Sequence, residues 1–198
     1  MIVHYTGASW KKSLALIAWC MCLAGRAFCA NLLLFDFEDG TQGWEHETDG
    51  TITPDAAETV ADNARHGKAA LVFNHHFSKA SRLLHCRVTS GFPRDVTTIA
   101  GFHGFSAWVF IPNGSPYWEA KMFVRSGSDW KWSEGKARRG LEPGWYRVEI
   151  PRDKIVEPNL IKDLGVEVVN FTDDIESRIR VDQVEAVLTG PAADSPAE

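Results

Sequence analysis

Short apolar runs separated by glycine- and proline-containing turns are the feature that most limits how this chain can fold. Beyond residue 30, no stretch repeats its apolar residues with the 3.6-residue period of an amphipathic helix. The runs are short and end at turn residues, which is typical of antiparallel strands. They are Leu32–Phe37, Ala69–Phe73, Arg82–Val88, Phe105–Ile111, Trp118–Val124, Trp145–Ile150, Leu164–Val169 and Ile179–Leu188. This pattern predicts an all-β domain, a two-sheet antiparallel β-sandwich of the jelly-roll kind.

Alternation within the runs separates a core face from a solvent face, because successive strand residues point to opposite sides. Trp118, Ala120, Met122 and Val124 are all apolar, so we expect them in the core. By the same reasoning we expect Trp108 in the core. The residues predicted to face solvent mix aromatic, acidic and basic groups; they are Tyr117, Glu119, Lys121, Phe123 and Arg125.

The last run changes its phase. Ile179 and Val181 have odd numbers, whereas Val184 and the apolar residues after it have even numbers. A slip of one residue is what a β-bulge produces. We therefore predict a bulge at Asp182 and Gln183, with an acidic side chain at the bend.

The first thirty residues have the composition of a secretory signal peptide. Lys11 and Lys12 precede an apolar run over residues 13–25, and small residues follow. The alternative is a membrane-spanning helix, but the run is shorter than the roughly 20 residues that a span needs. We predict a signal peptide over residues 1–30, a β-sandwich over 31–190 and a disordered tail over 191–198. The mature protein is then periplasmic or secreted.

Charge excludes some partners. The chain has 21 basic and 26 acidic residues, a net charge of −5. The predicted signal peptide holds three of the basic residues and no acidic one, so its removal makes the net charge more negative. An acidic surface repels nucleic acid and anionic lipid. We expect neither as a partner.

Five segments, in this order, resemble one known family. They are Phe35–Gly40 followed by Trp44, Phe105–Pro112, Met122–Trp132, Pro143–Trp145 and Ile179–Val184. They resemble galactose-binding-domain-like carbohydrate-binding modules, and are similar to the modules appended to bacterial β-mannanases and related glycoside hydrolases. The resemblance implies the same sandwich fold and a plant- or microbial-type polysaccharide as partner.

The resemblance also implies a structural calcium ion between the first and last strands. It assigns the acidic ligands to Glu38 and Asp182, with backbone carbonyls nearby. Calcium prefers six to eight hard oxygen ligands, so carboxylates suit it. The alternative is that Asp36, Glu38 and Asp39 are turn and cap residues and that Asp182 is a solvated bulge residue, with no cation.

Two tryptophans are the main candidates for sugar binding. Trp130 and Trp132 lie in a segment rich in glycine, serine, aspartate and lysine, with little else that could bury them. If the segment is one extended strand, both rings lie on one face about 7 Å apart. The alternative is that they cap one end of the sandwich. The predicted polar partners in the sugar site are Tyr117, Glu119, Lys121 and Arg125.

These observations favour an exported, non-catalytic polysaccharide- or oligosaccharide-binding domain. Two alternatives remain: an interaction or structural domain of the envelope on the same fold, and a small glycoside hydrolase or lyase. For the hydrolase, Glu119 and Glu134 would be the carboxylate pair. The sequence has no HExxH, GxSxG or glycine-rich phosphate-loop motif. We therefore predict that the protein is not an enzyme.

Overall fold

A computed structural model describes residues 31–48, 51–53, 57–89, 93–112, 117–171 and 174–188. The predicted signal peptide (1–30) and the predicted tail (191–198) lie outside the described residues. Within the described ranges, no helix is long and apolar enough to cross a membrane.

The described residues form thirteen strands and two short 3-10 turns, at Arg94–Thr98 and Arg152–Lys154. The strands are β1 (Leu32–Phe35), β2 (Trp44–Thr48), β3 (Thr51–Thr53), β4 (Ala57–Val60), β5 (Ala70–Phe77), β6 (Leu83–Val88), β7 (Gly104–Ile111), β8 (Trp118–Ser126), β9 (Lys131–Glu134), β10 (Arg138–Arg139), β11 (Gly144–Pro151), β12 (Ile161–Asn170) and β13 (Ile175–Val187).

The strands form two antiparallel sheets that pack as a sandwich. Sheet A has the order β11-β7-β13-β5-β4, with β1 beside β13. Sheet B has the order β10-β8-β12-β6-β2-β3, with β9 beside β8. Neighbours in each sheet are mostly distant in sequence, so each sheet is built from both halves of the chain. The predicted all-β antiparallel sandwich is confirmed.

The core lies between the sheets and follows the alternation of the strands. Trp118 and the other inward residues of β8 are buried, as are their counterparts on β7, Phe105, Ala107, Val109 and Ile111. The ring of Trp118 in sheet B meets that of Phe77 in sheet A edge to face, with 4.9 Å between centroids. Each large side chain buried in this way contributes about 1.5–3 kcal/mol to stability.

The prediction that Trp108 lies in the core is wrong. Trp108 is on the outer face of sheet A, half-buried, with the guanidinium carbon of Arg65 4.2 Å from its ring centroid. Strand β7 is apolar at nearly every position, so its sequence does not show which face turns inward. The odd-numbered residues turn inward, and the arginine covers the outward tryptophan.

The predicted bulge in the last strand is confirmed. The pairing of β13 with β7 shifts its register between Asp182 and Glu185. Gln183 has a φ of 48°, in the left-handed region. The Asp182 side chain is fully buried and lies next to the loop that joins β4 to β5.

Candidate functional site

The outer face of sheet B carries a continuous set of charged and aromatic side chains. Antiparallel register places Lys121 of β8 opposite Glu167 of β12, Glu167 opposite His85 of β6, and His85 opposite Glu47 of β2. Residues opposite each other on one face lie within reach of one another. The register therefore joins four strands into one polar row across the sheet.

An exposed tryptophan lies beside this row. Strands β8 and β9 form a hairpin in which Trp132 pairs with Arg125. The Trp132 ring stacks on Phe123, with 4.3 Å between centroids and 12° between planes, and lies 5.3 Å from His85. Its Nε1 donates a 2.9 Å hydrogen bond to Glu134. The stacking and the hydrogen bond hold the ring of Trp132 in place on one side. The side chain remains 38% exposed, so part of the ring is open to solvent.

Phe123 supports this tryptophan because β12 has a glycine opposite it. Gly165 pairs with Phe123, and a Cβ at that position would come 2.6 Å from the Phe123 ring. The space that the glycine leaves lets the phenyl ring lie over the sheet. Phe123 is predicted to face solvent by alternation, and it does point to the outer face, but Trp132 covers it and it is fully buried.

One ion cluster borders the stack on the side of β12. Lys121 Nζ lies 2.8 Å from Glu134 and 2.9 Å from Glu167, and His85 lies 2.9 Å from Glu167. The hydrogen bond from Lys121 lowers the pKa of Glu134 below its ordinary value. Burial alone would raise the pKa of Glu167, but hydrogen bonds from His85 and Lys121 outweigh burial and lower it. Both carboxylates are therefore ionised hydrogen-bond acceptors at neutral pH.

A second ion cluster is centred on Asp163, which is fully buried. Asp163 accepts hydrogen bonds from Arg87 Nη1 at 3.0 Å and from Arg125 Nε at 2.7 Å. The backbone N–H of Arg125 donates to the same carboxylate at 3.1 Å, and Glu47 lies 2.6 Å from Arg87. A carboxylate held by two guanidinium groups is rigid, which fixes the side chains next to Trp132.

Trp130 takes a different position from the one expected. It lies in the loop between β8 and β9 with a φ of 54°, and β9 begins only at Lys131. The expected spacing of two rings along one extended strand therefore does not apply. The guanidinium carbon of Arg125 lies 5.4 Å from the Trp130 ring centroid, so this tryptophan stays beside the second ion cluster.

The remaining two predicted residues lie at the other end of β8. Tyr117 and Glu119 line a cavity of about 390 Å³ together with Trp118, Arg139 and Phe171. Glu119 is buried and accepts a 2.7 Å hydrogen bond from Arg139 Nε. The six predicted sugar-site residues thus fall into two groups on one face. Lys121, Arg125, Trp130 and Trp132 surround the Phe123 stack, and Tyr117 and Glu119 lie beyond Lys121.

Sequence reasoning missed the residues that other strands contribute to this face. Phe123 could have been found, because alternation already placed it beside Lys121. His85, Glu167 and Phe171 could not, since only the sheet order and register place β12 next to β8 and β6 on the other side of β12.

Glu38 and Asp182, the residues predicted to bind calcium, both hold the loop between β4 and β5. Glu38 Oε1 accepts hydrogen bonds from the backbone N–H groups of Lys68 and Ala69, at 2.6 and 2.9 Å. These bonds lower the pKa of Glu38. Asp182 Oδ2 accepts from the N–H groups of Arg65 and His66 at 2.7 and 2.8 Å, and Oδ1 accepts from that of Gln183.

This arrangement explains both carboxylates as anchors for the loop. Burial raises the pKa of Asp182, and the three backbone N–H donors oppose that rise. Both oxygens of Asp182 and Oε1 of Glu38 already accept hydrogen bonds, so a cation at these three atoms would have to share them, and calcium needs six to eight oxygens. Among the described residues there is no group of three or more His, Cys, Asp or Glu side chains that could hold a metal ion. The calcium site stays a prediction.

Comparison with known protein families shows which family the chain belongs to. Residues 35–183 match the family model described as "Mannanase, galactose-binding domain-like". Because this match covers most of the chain, the protein belongs to that family. The resemblance seen in the sequence is therefore confirmed. A search of curated protein sequences finds no match.

Several solved structures with the same fold are carbohydrate-binding modules. A family 28 module described as specific for non-crystalline cellulose has a TM-score of 0.57 at 18% identity, over 79% of this chain and 94% of that one. CBM27-1 of Caldicellulosiruptor saccharolyticus, solved with mannohexaose, has a TM-score of 0.54 at 16% identity, over 79% and 96%. A module of the β-sandwich superfamily described as promiscuous in specificity has a TM-score of 0.58 at 17% identity. This chain covers 60% of that last chain, and 77% of this chain is matched. At these identities the likeness shows the fold.

Proposed function

We propose that the protein is an exported, non-catalytic carbohydrate-binding domain that holds a neutral polysaccharide or oligosaccharide on the outer face of sheet B. One observation carries the proposal: Trp132 presents an open ring surface that is held flat on buried Phe123 and is flanked by hydrogen-bonding side chains. Sugar rings have apolar C–H faces and polar edges. An aromatic platform beside carboxylates and ammonium groups matches both.

The polar groups beside Trp132 suit uncharged hydroxyls. Lys121 is shared between Glu134 and Glu167, and Arg87 and Arg125 are paired with Asp163, so the cations are already neutralised by carboxylates. An acidic glycan would bring its charge next to these carboxylates. The modules of the same fold that were solved with, or described as specific for, mannohexaose and cellulose bind neutral glycans, which supports this class of ligand.

The environment of Glu134 supports binding without catalysis. A glycosidase needs one carboxylic acid with a raised pKa that protonates the leaving group. The hydrogen bond from Lys121 lowers the pKa of Glu134 instead. Glu119, the other carboxylate of the predicted pair, is held by Arg139.

Affinity electrophoresis of residues 31–198 through gels that contain mannan, glucomannan, xylan or mixed-linkage β-glucan tests the proposal. We expect retardation on at least one neutral glycan. Trp132→Ala should weaken binding at least about tenfold, since a central aromatic contact is worth about 2 kcal/mol or more. Trp145→Ala on the outer face of sheet A is the matched control and should bind as the parent protein does.

Absence of retardation on every glycan would reject sugar binding and favour the envelope-interaction alternative. Equal binding by the parent protein and Trp132→Ala would move the site away from the outer face of sheet B. Release of reducing sugar that disappears in Glu119→Gln would identify a hydrolase.

Calcium and export are parts of the proposal with their own tests. If Glu38 and Asp182 hold a stabilising calcium in addition to their backbone donors, a chelator should lower the thermal midpoint of the calcium-loaded protein. An unchanged midpoint would mean that the carboxylates anchor the loop alone. Recovery of the protein from the periplasm or medium, starting near residue 30, would support export.

A further inference from the structure

A polar cavity of about 410 Å³ lies at the end of the sandwich where β7 begins and β11 ends. Its wall is formed by the segment that precedes β7 and by the segment that follows β11. A volume of this size is within the range of small-molecule sites. The residues that line the cavity include Thr97, Thr98, Ile99, Phe102, Arg152 and Asn159.

The backbone around this cavity is fixed by the ends of three strands. The N–H of Arg152 donates to the carbonyl of His103 at 2.6 Å, and the N–H of His103 donates to the carbonyl of Val187 at 2.7 Å. Gly101 also lines the cavity, with a φ of 83°. A Cβ at that position would come 2.4 Å from the carbonyl oxygen of Leu188. The ends of β7, β11 and β13 therefore set the shape of the cavity before any ligand binds.

Thr97 has a hydroxyl group that lacks a partner. The residue is 4% exposed, and its buried Oγ1 makes no hydrogen bond with the described residues. The neighbouring Thr98 differs, because its hydroxyl donates to the carbonyl of Asp95 at 2.7 Å. Buried hydroxyl groups in folded proteins nearly always have a partner, since leaving one without a hydrogen bond costs free energy. Because Thr97 lines the cavity, a ligand in the cavity can supply that partner.

Arg152 and Asn159 add further hydrogen-bond donors. Both side chains are exposed, and neither has a hydrogen bond or ion pair within the described part of the chain. Of the described residues that line the cavity, only Arg152 is charged. The face around Trp132 is different, because carboxylates there already hold Lys121 and Arg125. A guanidinium group without a carboxylate partner, beside a hydroxyl and an amide, suits a negatively charged group with two or more acceptor oxygens.

We propose that this cavity binds an oxyanion group, a carboxylate or a phosphate, carried by a molecule about the size of one sugar ring. Arg152 donates to the oxyanion, and the Thr97 hydroxyl and the Asn159 amide donate to it or to hydroxyls beside it. Ile99, which is 39% exposed, packs against the apolar side of the ligand. The site shares no residue with the outer face of sheet B, so it does not depend on the proposed function.

Calorimetric titration of the purified protein with glucuronate, glucose 6-phosphate and glucose tests the proposal. We expect one or both of the anionic sugars to bind, and glucose to bind at least about tenfold more weakly. Which anionic sugar binds identifies the oxyanion. Arg152→Gln should weaken its binding at least about tenfold, since hydrogen bonds to a charged group are lost. Lys154→Gln is the matched control, because it removes the same charge from an exposed residue of the same 3-10 turn that does not line the cavity.

Thr97→Val separates a role in binding from a role in the fold. Valine keeps the shape of threonine and lacks its hydroxyl, so we expect anion binding to weaken about threefold to tenfold. Urea denaturation without ligand should show a variant at least as stable as the parent protein, because a buried hydroxyl without a partner has been removed. A less stable Thr97→Val that binds the anion normally would mean that the hydroxyl serves the fold, and its role in the site would be wrong.

Two further results would overturn the site. One is that neither anionic sugar binds the parent protein. The other is that Arg152→Gln and Lys154→Gln weaken binding equally, which would indicate attraction to the general charge of this end of the sandwich. Retardation of Arg152→Gln on neutral glycan gels should match that of the parent protein, so failure of the anion site leaves the proposed function untouched.

Discussion

Arginine and aromatic side chains occur on the outer faces of both sheets, but they are paired differently. On sheet A, Arg65 lies over Trp108 at 4.2 Å and Arg180 lies over Phe110 at 5.0 Å. On sheet B, Arg87 is bound to Asp163 and Glu47, and Trp132 rests on Phe123. Cations cover Trp108 and Phe110 on sheet A, whereas on sheet B the exposed ring of Trp132 is supported by Phe123, and Arg125 lies over the neighbouring Trp130 at 5.4 Å.

On sheet B, buried Asp163 holds the guanidinium groups of Arg87 and Arg125, and the ring that rests on Phe123, that of Trp132, stays partly open to solvent. A guanidinium group is attracted to an aromatic face, but a carboxylate at hydrogen-bonding distance attracts it more strongly. Asp163 holds Arg87 and Arg125, and it also holds the backbone of β8 through the N–H of Arg125. The same residue types thus cover the rings of Trp108 and Phe110 on sheet A and leave the ring of Trp132 partly exposed on sheet B.

We expect Asp163→Ala to lower the free energy of unfolding more than any other change proposed for the two faces. Removing this carboxylate leaves Arg87 and Arg125 with Glu47 as their shared acidic neighbour but without the buried one, and breaking a buried ion pair in this way costs about 3–5 kcal/mol. Urea denaturation followed by tryptophan fluorescence measures the loss. The matched control is Glu58→Gln on sheet A, whose partner Arg178 is exposed, and we expect a cost of no more than about 1 kcal/mol there. Equal losses in the two variants would contradict the contrast between the faces.

His46 lies between the two sheets, and we expect it to make the free energy of unfolding depend on pH. His46 on β2 and His75 on β5 meet between the sheets with 5.4 Å between ring centroids. Burial lowers the pKa of His46 to about 4, with a further contribution from His75. Below pH 6.5 the unfolded chain binds a proton that folded His46 does not. Stability should therefore fall by about 2 kcal/mol between pH 7 and pH 5.

Denaturation curves at both pH values check this, and His46→Gln should show a smaller loss of stability between them.

His76, on the outer face of sheet A, should change stability with pH in the opposite direction. Its hydrogen bond with Asp174 raises its pKa. Its contribution is present below the ordinary pKa of histidine and is lost as the pH rises through the raised pKa. His76→Gln should therefore leave the loss at low pH at least as large as in the parent protein.

A smaller loss of stability is expected from Gly165→Ala, at the point where Phe123 lies over β12. Gly165→Ala would place a methyl group 2.6 Å from the Phe123 ring and 2.5 Å from the carbonyl oxygen of Cys86. Overpacking of this kind costs about 1–3 kcal/mol. Displacement of Phe123 should also tilt Trp132 and weaken glycan binding. If denaturation shows the cost but the affinity is unchanged, the stack does not orient the platform.

The smallest effect is expected from Arg65→Ala. Removing the guanidinium group uncovers Trp108, and we expect a cost of about 0.5–1 kcal/mol with a change in tryptophan emission. Glycan binding should not change, because Trp108 lies on the outer face of sheet A. Tighter binding in this variant would show that sheet A carries a glycan site that the arginine blocks.

Local pattern was enough to predict the class of fold and which residues of the candidate site share one strand face. Alternation correctly assigned Trp118 and Met122 to the core, and the change of phase correctly located the bulge at Asp182. It also placed Glu119 and Lys121 on one face of β8, since that depends only on the two-residue period of a strand. Alternation gave the wrong face for Trp108, because β7 is apolar on both faces and its sequence does not show which face packs in the core.

The amino-acid pattern is therefore enough to predict that the chain forms antiparallel strands, which side chains share a face of each strand, and where the last strand bends. These properties depend on neighbours along the chain. Three contacts arise only when the strands assemble into sheets: Gly165 lies opposite Phe123, Glu167 and His85 join the row that contains Lys121, and Phe171 lies beside Tyr117. Sheet order and register set those contacts, and they result from packing of the whole sandwich core, which no single segment of the sequence encodes.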